Sequence, residues 1–74
     1  MQFEIGDEVK QFMAATGLRE DAVRYAADRP TSEQAQEYED EDVIIVFSHD
    51  PDNRRLRLVF NSDRSRLLVV RPVE

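Results

Sequence analysis

Seventy-four residues without a cysteine make a single domain that folds without disulfides and offers no thiolate to a metal. No apolar stretch reaches the roughly 18 residues of a membrane span. The chain also lacks the basic-then-apolar opening of a signal peptide, so a soluble cytoplasmic protein is expected. A net charge of −6 argues against nucleic acid as a partner for the surface as a whole, because phosphate contacts need Lys and Arg.

The charge is uneven. Residues 1–52 hold four basic side chains against 14 acidic ones, a net of −10; residues 53–74 hold six Arg against two acids, a net of +4. A local basic patch can therefore act against the overall sign.

Taken in order, Met1, Phe3 and Ile5 alternate with Gln2 and Glu4, which predicts a short strand that Gly6 breaks. Asp7 is the expected N-cap of a helix, with Glu8 in its first turn. Val9, Phe12 and Met13, with Ala14 and Ala15, recur at helical spacing, and Gly17 supplies a left-handed stop. Leu18, Ala22, Val23 and Ala26 line one face of a second helix, flanked by Tyr25. Arg29-Pro30 closes it, because the residue before Pro avoids helical angles. Thr31 to Asp42 carries six acids among twelve residues and no apolar period. It is expected to be a solvated loop, with Thr31-Ser32-Glu33-Gln34 able to open one helical turn.

Three short apolar runs follow: Val43 to Phe47, Leu56 to Phe60 and Leu67 to Val70. Asp, Asn, Ser and Pro separate them, and the connections are too short for a crossover helix, so an antiparallel meander is predicted. Leu56, Leu58 and Phe60 share one face of the middle strand, and Arg55, Arg57 and Val59 share the other. The expected fold is a single α+β domain over residues 1–74, of order β-α-α-β-β-β. Its antiparallel sheet would carry two helices packed on one face. The expected core is Phe3, Ile5, Val9, Phe12, Leu18, Ala22, Ile44, Val46, Leu56, Leu58 and Phe60, completed by Leu67 with Val69 or by Leu68 with Val70. Antiparallel pairing also places the acidic run before Val43 beside Asn61 and away from Arg54 and Arg55.

This order resembles the RelE/ParE toxin superfamily, and three motifs are similar to its BrnT branch. They are Phe3-Glu4-Ile5 followed by Asp7-Glu8-Val9-Lys10, Gly17-Leu18-Arg19-Glu20-Asp21-Ala22, and Arg66-Leu67-Leu68-Val69-Val70-Arg71. The resemblance implies a toxin-like fold, a toxin–antitoxin or phage-encoded setting and metal-independent RNA cleavage. Two departures count against the cleavage. Ala15-Thr16 stands where the family carries Lys-His, the pair tied to catalysis, and this chain is acidic where the family is basic.

Four groups of side chains are candidates for chemistry. His49, the one histidine, sits beside Asp50 and Asp52, where it could serve as a general acid or base; a polar hairpin tip is the plainer reading. Arg54, Arg55 and Arg57 could grip phosphates or carboxylates, or simply solvate a strand face. In the ribonuclease reading, Arg66, Arg71 and His49 would stabilise the charge that develops on phosphorus. Glu39, Asp40 and Glu41, within Glu37 to Asp42, could present an acidic surface to a partner, and they lack the spacing of a calcium loop. No metal or cofactor motif is present, with only two glycines in the chain.

These observations favour a small non-catalytic or degenerate toxin-like binding protein that acts through a protein partner. The alternatives are a metal-independent ribonuclease toxin and an acidic mimic of nucleic acid. The expected partner is a protein, with RNA and a second copy of the chain as further candidates; no membrane partner is expected.

Overall fold

Period-two alternation places Leu56, Leu58 and Phe60 on one side of a strand, and all three are fully buried. The structure around them, a computed structural model, describes residues 2–73; Met1, read above as part of the first strand, lies outside these. The elements are β1 (Glu4–Ile5), α1 (Asp7–Thr16), α2 (Glu20–Ala27), β2 (Pro30–Tyr38), β3 (Glu41–His49), β4 (Arg55–Asn61) and β5 (Arg66–Pro72). They form one sheet of order β1-β5-β4-β3-β2, antiparallel except where β1 joins β5 in parallel. Both helices pack on one face. The α+β class, the meander and the one-sided helix layer are therefore as the pattern predicts.

The stretch expected as a loop, or as a helical turn at Thr31–Gln34, is instead strand β2. It pairs with β3 from Pro30↔Ser48 to Tyr38↔Glu41, and every residue in it is exposed. An edge strand exposed on both faces carries no apolar alternation, so nothing in its side chains announces it. The turn that links it to β3 is equally quiet. Glu39 and Asp40 both take left-handed angles, at φ 50° and 65°, where Asn-Gly is the usual pair.

Gly6, not Asp7, occupies the N-cap of α1; Asp7 is the first helical residue, and its carboxylate joins Glu8 near the positive helix end. The other end is as expected. Gly17 sits at φ 74°, and the amide of Leu18 donates to the carbonyl of Met13 at 2.8 Å, so the chain leaves the helix with both side chains buried. Helix α2 is fixed at two points. Arg24 donates to the carbonyl of Phe3 at 3.0 Å and lies 4.7 Å over its ring, while that ring meets Phe60 edge-on at 5.0 Å. At the C-terminal end, the buried hydroxyl of Ser48 donates to the carbonyl of Ala26 at 2.5 Å, with that of Arg29 also in reach at 2.8 Å. The Ala26 carbonyl already accepts the Arg29 amide at 3.1 Å, so the hydroxyl is its second donor and joins the helix end to the sheet.

The expected core needs three corrections. Phe12 is 39% exposed, because Met13 takes the inward position on α1. Val9, Ala22 and Ile44 are partly buried, and Val23, Ala26 and Ala27 supply the α2 surface. On β5 neither expected pair is right: Leu67 and Val70 point inward together. The register shows why. Val59 faces Val69 but Phe60 faces Leu67, so Leu68 is an extra residue in a β-bulge that resets the alternation.

Two predictions follow from this packing. Leu58→Ala should lose about 2–5 kcal/mol in urea melts, and a loss below about 1 kcal/mol would mean that the side chain is not in the core. Replacing Glu39-Asp40 by Asn-Gly should raise stability by about 0.5–2 kcal/mol, because those residues adopt the turn without strain. An unchanged melt would show that the left-handed turn costs nothing.

A cleft on the outer face of the sheet

The face away from the helices is not simply wet. A continuous apolar run such as Val43 to Phe47 buries side chains on both sides of its strand. On the outer side, Val43, Ile45 and Val59 form a second cluster, with Phe47, Leu68 and Val69 packed against it. The three central residues are only 5–8% exposed although no helix covers them. Longer side chains around them leave a cleft of about 510 Å³ with this cluster as its floor. That size lies within the range of ligand pockets.

The walls differ in sign. At one end stand Tyr38, Glu39 and Glu41, from the β2–β3 hairpin; at the other stand Arg57 and Arg71. The register explains the separation. β4 pairs with β3 only from Val43↔Asn61 onward, so Glu37 to Asp42 project beyond the third strand as a two-stranded arm, all of it exposed. The acidic run thus lies at the Asn61 end, as antiparallel pairing predicts. Tyr38, at 61% exposure, is the most exposed large apolar residue of those described.

Arg57 and Arg71 are direct cross-strand partners. Like charges in that position repel, and neither guanidinium is paired with a carboxylate among the described residues. An anionic group above the sheet would relieve the repulsion, and each guanidinium fork can hold a carboxylate or a phosphate through two hydrogen bonds.

The remaining candidates lie elsewhere. Arg66 stands at the opposite end of β5 from Arg71, with its guanidinium folded against Gly6, 2.9 Å from where a Cβ would sit. His49 pairs in register with Arg55 and lines a shallow depression with Tyr25, Arg29 and Asp50. Asp50 is buried and already engaged: its Oδ1 accepts from the amides of Asp52 at 3.0 Å and Arg54 at 2.7 Å, which shapes the β3–β4 loop. His49, Arg66 and Arg71 do not converge on one point, and Arg54 and Arg55 are exposed around the hairpin. Among the described residues no group of His, Cys, Asp and Glu is arranged to hold a metal ion.

Among the described residues, one ion pair joins distant segments. Arg64, in the β4–β5 turn at φ 60°, donates to both oxygens of Glu33 on β2, at 2.5 and 2.9 Å. These hydrogen bonds hold the Glu33 carboxyl below its ordinary value of 4.5. Nothing local in the sequence signals a partner 31 residues away.

No family model, curated protein or solved structure matches the chain.

The pair gives a pH signature. Because the folded value is depressed, its contribution is complete above 4.5 and fades as pH falls through that folded value. Glu33→Gln should therefore melt below the wild type at neutral pH, with the gap closing in acid. Equal gaps at both pH values would show that the pair adds nothing to folding.

Proposed function

We propose that the chain is a small binding protein of RelE-like topology, nearest in its motifs to the BrnT branch, that works through a protein partner in a toxin–antitoxin or phage-encoded regulatory setting. The partner docks on the outer face of the sheet. What supports this reading above all is the cleft, a recessed apolar floor between walls of opposite charge. Apolar side chains of a partner gain from the floor, while the charged walls fix direction and register and speed the encounter.

The arrangement is poorly suited to ribonuclease chemistry. Arg66 is remote from Arg71, Asp50 is committed to its loop, and Ala15-Thr16 stands in place of the Lys-His pair. Arg57 and Arg71 serve better here as an anchor for an acidic group on the partner.

Two measurements test the proposal. A displayed random-peptide library panned on the folded protein should enrich ligands whose affinity falls roughly tenfold or more on Leu68→Glu, a change in the cleft wall. In parallel, purified protein should leave a mixed RNA pool intact in metal-free buffer. Enrichment indifferent to Leu68, or RNA cleavage that disappears with Arg71→Ala, would replace this reading, the second in favour of the ribonuclease.

A further inference from the structure

We infer that the occupant of the cleft is the acidic hairpin arm of a second copy of this chain. The inference rests on the docking role proposed for the outer face. Its basis is that each molecule carries both halves of the contact and cannot join them itself. The arm, Glu37 to Asp42, is a projecting hairpin with five carboxylates and the exposed ring of Tyr38. The receptor is the apolar floor flanked by Arg57 and Arg71, which lack carboxylate partners among the described residues. Glu41 and Phe47, the register partner of Arg57, are six residues apart on β3, about 20 Å of extended chain, so the arm does not fold back onto the two arginines.

Symmetry completes the contact. Consider a two-fold axis lying between two such faces, at right angles to the line from acidic arm to basic pair. It lays the arm of each copy over the Arg57–Arg71 pair of the other. The contact is isologous, so it closes at two copies and makes every ion pair twice. Shape argues the same way. Two concave faces pressed flat would enclose a void, whereas a narrow hairpin carrying one aromatic ring enters a cleft of about 510 Å³. Carboxylates of the arm then lie over Arg57 and Arg71 and remove their mutual repulsion, while Tyr38 reaches the floor or stacks on a guanidinium.

Two charge-reversed proteins provide the test. The first carries Arg57→Glu and Arg71→Glu, so its arm and its cleft are both acidic. The second carries Glu39→Lys and Glu41→Lys, so the two arm positions that line the cleft become basic, as the Arg57–Arg71 end already is. Sedimentation should show the wild type as a dimer, each reversed protein alone as a monomer, and their equimolar mixture as a heterodimer. Unfolded variants cannot produce that rescue, so it also reports folding. If either double variant fails to fold, Tyr38→Ala in an otherwise unchanged chain should weaken the wild-type dimer roughly tenfold. A wild type that stays monomeric at its highest soluble concentration overturns the inference. So does a dimer indifferent to both reversals and to Tyr38→Ala, or a mixture of folded reversed proteins that stays monomeric. If the wild type is monomeric but peptides selected on the cleft still depend on Leu68, only the second-copy occupant falls and the docking role stands. If both fail, the outer face is not a docking surface.

Discussion

Everything in this fold hangs on β4 burying side chains on both of its faces. Leu56, Leu58 and Phe60 meet the helices, while Val59 meets Val43 and Ile45 on the opposite face. A chain of 74 residues buries a small fraction of its surface compared with larger domains, so a strand used on one face alone would leave it with little core. The second cluster adds burial without adding a layer. Because nothing roofs it, the surrounding polar side chains must rise around it, and this is what makes a cleft rather than a flat sheet.

The helix layer is held by few but specific contacts. Arg24 ties α2 to the N-terminal strand through a carbonyl and a ring, and Ser48 ties the end of α2 to β3. Both bring a polar side chain to a backbone oxygen close to the core, Arg24 to that of Phe3 and Ser48 to that of Ala26. The parallel β1–β5 pairing covers only two residues of β5, so β1 owes its place to the burial of Phe3 and Ile5 more than to its ladder.

Much of this was legible in the sequence, and what was not has physical causes. The meander could be read because Leu56, Leu58 and Phe60 alternate with residues of different character and because the loops are rich in Asp, Asn and Ser. Strand β2 could not, since an edge strand with two solvated faces has no apolar period and its turn uses Glu-Asp in place of Asn-Gly. The basic residues were visible as a set, but which of them face each other depends on register; the opposition of Arg57 and Arg71 appears only once β4 and β5 are aligned. The cleft floor was not legible, because the outer face of the middle strand reads as Arg55, Arg57 and Val59, and only the fold brings Val59 against Val43 and Ile45.

The bulge at Leu68 separates what the sheet requires from what the cleft requires. Val59 faces Val69 and Phe60 faces Leu67, so a β5 shorter by that one residue would close an unbroken ladder with Leu67 and Val70 still turned inward. Leu68 is thus supernumerary to the ladder, since pairing and inward packing are complete without it. What it adds is a side chain in the wall of the cleft and the extra local twist that bulges bring. In evolutionary terms the two faces of β5 are separately adjustable. A one-residue deletion there would leave Leu67 and Val70 turned inward and fall on what Leu68 lines, the cleft and the depression it shares with Val9 and Phe12 of α1.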